Sequence, residues 1–173
     1  MKFSEVVGHD SLKQHLVQSV KEQRIAHAQL FLGKEGSGAL PLALAYATLV
    51  NCEQPEETDS CGVCNSCRKI AHYMHADLHF TFPTISPHKQ SRELIEIWRK
   101  SLKASPYLTY KHWLTDLEAE NKQGNITADE VKDIVKRLAL KTVEGKYKIQ
   151  LIWGAEFLGK EGNMLLKILE EPP

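Results

Sequence analysis

The sequence predicts an α/β protein with a mainly parallel sheet flanked by helices, because runs typical of strands alternate with runs typical of helices. Apolar runs of strand length occupy 29–32, 78–82 and 147–153, and a helical pattern follows each of them. A glycine-rich turn at 33–38 joins the first of these strands to an apolar helix. With 173 residues, the chain is long enough for one domain with a hydrophobic core.

The N-terminal part is expected to hold a surface helix, a short strand and a buried helix. Asp10 can cap the first helix, and the strand covers 29–32. The apolar positions of the first helix recur at helical spacing: Leu12, Leu16, Val17 and Val20. The second helix, over 40–50, is apolar nearly all round and has Pro41 in its first turn, so we expect it to be buried.

The middle of the chain combines a cysteine-rich segment with a long polar excursion. The cysteine-rich, acidic segment covers 51–67, and a short helix is predicted at 68–73. After the strand at 78–82, the polar excursion runs over 86–125 and contains two helical patterns, separated by Pro106. The first pattern consists of Leu94, Ile95, Trp98 and Leu102, and the second of Leu108, Trp113, Leu114 and Leu117. On these stripes both tryptophans are expected to be core anchors rather than base-stacking groups.

The C-terminal part is expected to contain two helices around a buried strand. Thr127 and Glu130 form a capping box for the first helix, and the strand covers 147–153. The last helix has its apolar positions at Met164, Leu165, Ile168 and Leu169. Pro172 and Pro173 are expected to stop it. The chain then ends without a closing strand or second domain, which indicates a fragment boundary.

Composition narrows the function classes. Lys plus Arg and Asp plus Glu both total 22, which disfavours an electrostatic grip of the whole domain on nucleic acid while leaving a local patch open. The N-terminus lacks the apolar core of a signal peptide, and no apolar run approaches the length of a membrane span. We therefore predict a cytoplasmic protein without a membrane partner, whose cysteines are reduced rather than paired in disulfides.

The cysteines suggest a metal centre. They are Cys52, Cys61, Cys64 and Cys67, spaced C-x8-C-x2-C-x2-C. Four thiolates satisfy a tetrahedral zinc ion with no open coordination position, so the predicted cofactor is a structural Zn²⁺. The alternatives are reduced or redox-active cysteines, an iron–sulfur cluster, and a zinc ribbon that contacts nucleic acid. The acidic loop between the first two cysteines disfavours the last of these, because it would repel phosphate.

The turn at 33–38 has the frame of a phosphate-binding loop without its charged groups. Gly33, Gly36 and Gly38 supply the glycines, but Ala39 and Leu40 stand where such a loop needs a lysine and a hydroxyl. The lysine would neutralise the terminal phosphates and the hydroxyl would bind magnesium. We therefore expect that ATP does not bind productively. The alternative is an ordinary glycine-rich turn between strand and helix.

A second requirement for ATP hydrolysis also fails. A hydrolysing P-loop protein has an apolar strand that ends in acidic residues, which hold magnesium and orient water. Here the strand at 147–153 ends in Trp153 and Gly154. Glu156 follows two positions later and is expected to lie on the surface. Because the basic and the acidic requirements fail together, the sequence predicts that nucleotide hydrolysis is absent.

Several segments resemble the AAA+ subunits of the bacterial DNA polymerase III clamp loader. They are "RIAHAQLFLG", "EGKYKIQLIWGAEFL" and "GNMLLKILEEPP", together with the position of the cysteines after the glycine loop. The resemblance implies a P-loop NTPase (AAA+) nucleotide-binding-like domain over 1–173, cut short at its C-terminal end, with lid and collar domains absent. It further implies a zinc-binding insertion at 51–67 and leaves 86–125 as a helical insertion outside the recognised segments.

The resemblance also implies a function. In this family the gamma and tau subunits hydrolyse ATP and the delta prime subunit does not, so the degenerate positions indicate a delta prime-like subunit. Such a subunit is a scaffold in a ring with gamma/tau and delta, which loads the sliding clamp onto primed DNA during replication. It is not an enzyme by itself but part of the polymerase holoenzyme. The alternatives are an ATP-hydrolysing gamma/tau-type subunit and an isolated zinc module that binds nucleic acid.

The remaining polar residues give weaker signals. His72, His75 and His79 lie close in sequence but lack an accompanying acidic pattern, so we expect surface or packed histidines. The excursion carries several basic residues, Lys89, Arg92, Arg99, Lys100, Lys103 and Lys111. A solvated helix face is the default interpretation, and a contact with DNA or a partner protein is the alternative.

Overall fold

The computed structural model describes residues 1–171 and forms two compact units. Unit 1 comprises Met1–Leu78 and Thr142–Ile149. Unit 2 comprises His79–Lys141 and the described residues from Gln150 onward. Each unit has buried apolar side chains of its own, around Leu42 and Leu49 in unit 1 and around Val131 and Leu114 in unit 2.

Unit 1 is built mainly from helices. They are a 3₁₀ helix at Phe3–Glu5, α1 at Asp10–Lys21, α2 at Ala39–Val50 and α3 at Asn65–Ala71. The predicted buried helix is confirmed as α2, in which Leu44 and Ala45 are fully buried. The amphipathic helix α1 belongs to the same cluster through Leu16 and Val17. Burying such apolar side chains stabilises the fold by roughly 1.5–3 kcal/mol each.

The predicted cap of α1 is wrong. The N-cap residue is His9, in the left-handed region at φ 61°, and its side chain makes no capping hydrogen bond. Asp10 is instead the first residue of the helix, where a carboxylate favours the positive end of the helix dipole. The apolar stripe is also narrower than predicted, because Leu12 is 41% exposed.

The predicted strand at 29–32 does not form. These residues have no regular secondary structure, and Leu30 and Leu32 are 78% and 88% exposed. A strand is stabilised through a ladder of hydrogen bonds to a neighbouring strand, and the described residues provide no such ladder here. The local pattern was strand-like, but a strand cannot persist without its partner.

The short helix after the cysteine-rich segment begins earlier than predicted. Residue 68 was the expected start, whereas α3 begins at Asn65. The reason is the cap: the Sγ atom of Cys64 accepts a hydrogen bond from the Cys67 amide at 3.4 Å. The cysteine thus takes the capping role that serine, threonine or aspartate more often performs.

The sheet has two strands, β1 at Leu78–Thr81 and β2 at Ile149–Ile152. The Ile149 amide donates to the Asp77 carbonyl at 2.7 Å and the Trp153 amide to the Thr81 carbonyl at 2.8 Å, so the strands run parallel. The parallel pairing is confirmed, but the larger sheet expected from the alternating pattern is not present in residues 1–171. Strand β2 is half-buried throughout rather than buried.

Unit 2 contains the helices of the polar excursion and those that follow it. They are a 3₁₀ helix at Ser91–Leu94, α4 at Ile95–Ala104, α5 at Tyr110–Asp116, α6 at Ala128–Leu138, a 3₁₀ helix at Ala155–Leu165 and α7 at Leu166–Glu170. The prediction that Trp98 and Trp113 anchor the core is confirmed, since both are fully buried. Trp98 stacks on Phe82 with ring centroids 4.3 Å apart, and Trp113 meets Trp98 edge-on at 5.4 Å.

The predicted capping box of α6 is half correct. Thr127 is the N-cap and its hydroxyl accepts a hydrogen bond from the Glu130 amide at 3.2 Å. The Glu130 carboxylate does not return to the cap. It is 2% exposed and accepts hydrogen bonds from the Thr81 hydroxyl at 2.5 Å and the Ser91 amide at 2.9 Å. A buried carboxylate needs such partners, and these two outcompete the local one.

The C-terminal helical pattern divides between two elements. Met164 and Leu165 lie in the 3₁₀ helix and only Ile168 and Leu169 lie in α7. The prolines expected to stop this helix, Pro172 and Pro173, lie outside the described residues. No helix within residues 1–171 combines the length and apolar character that crossing a bilayer requires.

Candidate metal centre, glycine loop and basic groove

The four cysteines converge on one point. One Sγ atom from each of Cys52, Cys61, Cys64 and Cys67 lies within 4.8 Å of the others. The Cys52 and Cys61 sulfurs are 3.5 Å apart, and those of Cys61 and Cys67 are 3.9 Å apart. A tetrahedral zinc ion with Zn–S bonds of about 2.3 Å places its sulfurs roughly 3.8 Å apart. The cysteine cluster therefore fits a zinc ion with four thiolate ligands.

The local backbone positions the four sulfur atoms and donates hydrogen bonds that stabilise their thiolate form. Cys52 follows the end of α2, whereas Cys64 caps α3 and Cys67 lies in its first turn. Gly62, at φ 74°, allows the tight turn between Cys61 and Cys64. Each of three amides, those of Cys61, Cys64 and Cys67, donates to the sulfur of the preceding cysteine at 3.4 Å. Such hydrogen bonds favour the thiolate form.

The thiols differ in their tendency to ionise. Hydrogen bonds from the Cys64 and Val63 amides lower the pKa of Cys61 to about 7. Burial raises the pKa of Cys52 and also raises that of Cys67. Two of the thiols thus resist ionisation on their own, and a bound cation would supply the charge that offsets their burial.

The acidic loop between Cys52 and Cys61 is tied to the N-terminus. The Asp59 carboxylate accepts hydrogen bonds from the Phe3 and Ser4 amides, both at 3.0 Å, and from the Ser60 amide at 2.8 Å. Burial opposes ionisation of Asp59, but these amides outweigh it and hold the pKa below its ordinary value. The loop is therefore held by the cysteines that flank it and, close to Cys61, by the hydrogen bonds of Asp59 to the N-terminal segment.

The histidines are not brought together into a second cluster. Among residues 1–171, the cysteines form the single group of three or more side chains positioned to share a metal ion. His75 is buried and its Nδ1 atom accepts a hydrogen bond from the Asp77 amide at 3.1 Å, whereas His72 is exposed. His75 is thus a packed residue.

The glycine loop leads directly into α2. Gly36 and Gly38 have φ values of 74° and 98°, which side chains rarely tolerate, and Gly38 is the N-cap of the helix. His9 contacts the Ser37 carbonyl through its Nε2 atom at 2.7 Å. A cavity of about 510 Å³ lies beside the loop. Its lining includes His9, His15, Arg24, Gln29, Leu30 and Ser37.

The first two residues of α2 have apolar side chains, whereas a nucleotide-hydrolysing loop has a lysine and a hydroxyl residue at these positions. Leu40 is 7% exposed, and Ala39 is half-buried. Lys34 lies earlier in the loop and is exposed. The backbone amides at the helix start can still attract an anion weakly, but positions 39 and 40 supply neither an ammonium group nor a magnesium ligand.

The end of β2 likewise carries no acid. The Trp153 ring packs against Trp98 with centroids 5.3 Å apart. Gly154 has φ 72°, and a Cβ atom there would lie 2.9 Å from the Phe157 ring. Glu156, as predicted from the sequence, is exposed.

A basic groove lies in unit 2, between the 88–92 segment and α6. Its volume is about 400 Å³. Its lining residues are Lys89, Gln90, Arg92, Asp129, Lys132, Asp133 and Lys136, so cations outnumber carboxylates. Lys89 and Arg92 belong to the basic residues noted in the sequence, whereas Lys132 and Lys136 of α6 were not expected to join them. Their spacing of four residues, which places both on one helix face, was the available signal.

Hydrogen bonds fix both walls of the groove. The Thr127 hydroxyl donates to the Lys89 carbonyl at 2.6 Å. The buried Glu130 carboxylate holds the Ser91 amide at 2.9 Å. Lys132 pairs with Asp129 at 3.8 Å and Asp133 pairs with Arg137. The ammonium and guanidinium groups of Lys89, Arg92 and Lys136 have no carboxylate partner among residues 1–171, so three cations face the groove uncompensated.

Comparison with known proteins gives consistent matches along the chain. The family model described as DNA polymerase III, delta subunit, matches residues 8–173. The DNA polymerase III tau subunits of Salmonella typhimurium and Escherichia coli are 28% identical over 172 residues, covering 99% of this chain and 21% of each relative. The tau/gamma subunit of Haemophilus influenzae is 27% identical over 172 residues, 99% of this chain and 19% of its own length. The chain thus spans about a fifth of these relatives.

Proposed function

We propose that this chain, which belongs to the DNA polymerase III delta subunit family, works in a clamp loader as a subunit that does not hydrolyse ATP, of the delta prime type. In this role it is a scaffold within a ring of gamma/tau and delta subunits. The ring places the sliding clamp on primed DNA. The chain itself is not an enzyme but a part of the polymerase holoenzyme.

The observation that carries this proposal is the nature of positions 39 and 40. Leu40 is buried at the start of α2, and Ala39 offers only a methyl group. Phosphoryl transfer depends on cations that neutralise the developing charge on the phosphates. The absence of a carboxylate at Trp153 and Gly154 supports the same interpretation independently. The glycine loop with Gly33, Gly36 and Gly38 is then a retained turn of the fold.

Nucleotide assays test this proposal. Titration of the chain with ATP and magnesium in a calorimeter is expected to give no saturable binding at micromolar concentrations, and no phosphate release above a protein-free blank. The variant Ala39→Lys is expected to raise the affinity for ATP without restoring hydrolysis, because the end of β2 still lacks a carboxylate. Micromolar binding with phosphate release by the unaltered chain would overturn the proposal.

The second candidate is an ATP-hydrolysing subunit of the gamma/tau type. The names of the relatives favour it, since they are tau or tau/gamma subunits and match 99% of this chain. This candidate predicts turnover in the assay described above. We prefer the delta prime type because the residues that turnover needs are replaced both in the glycine loop and at the end of β2.

We further propose that residues 51–67 form a zinc-binding insertion and 86–125 a helical insertion. Cys52, Cys61, Cys64 and Cys67 would hold a structural Zn²⁺, which supplies a rigid cross-link rather than a reaction centre. The sulfur separations of 3.5 and 3.9 Å support this ligand set. The charge of the groove that Lys89 lines supports a role for the helical insertion in contacting the phosphates of primed DNA.

DNA binding by the groove is testable through its salt dependence. The variant Lys89→Glu/Arg92→Glu/Lys136→Glu is expected to weaken binding of a fluorescent primed DNA, measured by anisotropy at several salt concentrations. The slope of log affinity against log salt should become shallower by about 0.7–0.9 for each DNA phosphate that the altered groove no longer neutralises.

A matched control distinguishes DNA binding by the groove from a general effect of net charge on DNA affinity. The variant Lys100→Glu/Lys103→Glu/Lys111→Glu makes the same change in net charge at exposed residues of the insertion outside the groove. It is expected to leave the salt slope near that of the unaltered chain. Equal decreases in affinity for both variants would show that the groove has no special role.

A further inference from the structure

The segment at 142–148 is bonded to both elements that carry the cysteines. Toward the end of α2, Asn51 and Tyr147 exchange two hydrogen bonds, from Asn51 Nδ2 to the Tyr147 carbonyl and from the Tyr147 amide to Asn51 Oδ1, both 2.9 Å long. The Lys146 ammonium also donates to the Cys52 carbonyl at 3.2 Å. Asn51 is 1% exposed, so these bonds are shielded from water.

The same segment is bonded to α3 and the turn that follows it. The Glu144 carboxylate pairs with the Lys69 ammonium of α3 and accepts the Ala76 amide at 3.0 Å. The fully buried Asp77 carboxylate accepts the amides of residues 143, 144 and 145 at 2.7–3.0 Å. These amides offset the burial of Asp77 and hold its pKa below the ordinary value.

Close packing leaves the segment little freedom. A Cβ atom at Gly145 would lie 2.9 Å from the His75 ring and 3.1 Å from the Asn51 side chain. The backbone of the segment therefore depends on the relative position of α2 and α3, since Asn51 ends the first and His75 follows the second.

The cysteines divide between the same two elements. Cys52 directly follows Asn51 at the end of α2, and Cys64 and Cys67 lie at the start of α3. A metal ion held by all of them would cross-link the end of α2 to the start of α3. That cross-link would fix the two supports between which the segment is held.

We propose that metal binding by the cysteines anchors the 142–148 segment, so that this segment detaches when the metal is removed. The inference rests on the metal site of the proposed function and is independent of nucleotide and DNA binding. Its consequence extends along the chain, because the segment leads into β2 at Ile149, whose amide is bonded to the Asp77 carbonyl. The metal is then a support for the entry to β2 and not only for its own loop.

Hydrogen exchange tests the inference on the whole chain. Zinc-loaded protein and protein stripped with a chelator under reducing conditions are compared by mass spectrometry, with metal content measured in each sample. Peptides covering 142–148 are expected to exchange at least about tenfold faster after metal removal, whereas peptides from α6 stay unchanged. Unchanged protection of 142–148 in protein shown to be free of metal would overturn the inference, and a chain that never binds metal would overturn it too.

A reciprocal measurement covers the case in which stripped protein unfolds altogether. If metal binding stabilises the attachment of the segment, detaching the segment must lower the affinity for the metal by the same factor. Glu144→Ala, which removes the partner of Lys69, is expected to lower zinc affinity about fivefold or more in competition with a chromogenic chelator. Glu120→Ala makes the same change at an exposed residue, and Ile134→Val destabilises unit 2 without touching the segment. Zinc affinity of Glu144→Ala equal to that of the unaltered chain and of both controls would contradict the inference.

Discussion

Cys67→Ser is expected to abolish stoichiometric zinc binding and the cooperative folding of unit 1. Cys67 is 1% exposed in the first turn of α3, and a hydroxyl is a far weaker zinc ligand than a thiolate. Structural zinc contributes roughly 10–16 kcal/mol of binding free energy in zinc-finger peptides, about as much as the 5–15 kcal/mol that separates folded from unfolded states in typical domains. Metal analysis should fall from one zinc per chain to none, and thermal melting followed by near-ultraviolet circular dichroism should lose its cooperative transition.

A neighbouring residue provides the control for this substitution. The Ser66 hydroxyl is buried next to Cys67 and has no hydrogen-bond partner within the described part of the chain. Ser66→Ala is therefore expected to keep one zinc per chain and a melting temperature close to that of the unaltered protein. A Cys67→Ser chain that retained its zinc and its melting temperature would refute the metal assignment.

Trp98→Ala is expected to destabilise unit 2 by about 3–5 kcal/mol, the range for removing a large aromatic side chain from a core. Trp98 is fully buried at the centre of an aromatic cluster. Its ring lies 4.3 Å from that of Phe82, 5.3 Å from Trp153 and 5.4 Å from Trp113. Truncation would leave a cavity among rigid rings that cannot collapse into it. Urea unfolding monitored by circular dichroism measures the destabilisation as a lower midpoint.

Leu140→Ala is the control for this truncation, because Leu140 is apolar but 66% exposed. It should change the free energy of unfolding by less than about 0.5 kcal/mol. Equal midpoints for Trp98→Ala and Leu140→Ala would mean that the aromatic cluster is not the core of unit 2.

The helices could be predicted from the sequence because their signals are local. The apolar stretch of α2 and the stripes that hold Trp98 and Trp113 report burial through spacing alone. The strand expected at 29–32 failed because strand formation depends on a distant partner, which no local pattern encodes. The same limit explains Glu130, whose capping-box position offered no hint that Thr81 and Ser91 would take its carboxylate.

In the candidate site, too, contacts between residues close in sequence could be predicted and contacts between distant residues could not. The spacing of the cysteines was enough to predict that Cys52 and Cys67 would meet, since the intervening chain is short. The attachment of Tyr147 to Asn51 could not be predicted, because the two residues are far apart in sequence. The second wall of the basic groove was missed for the same reason, as α6 lies well beyond Lys89 along the chain.

The backbone at Gly154 bears on how such a chain could have evolved. The residue has φ 72°, and a side chain there would strike the Phe157 ring at 2.9 Å. A glutamate introduced by one codon change would meet both the strained backbone and the ring. An acid at position 154 therefore requires a further change, such as a smaller side chain at position 157. Selection acting on single substitutions would reach an acid at position 154 only through a less stable intermediate.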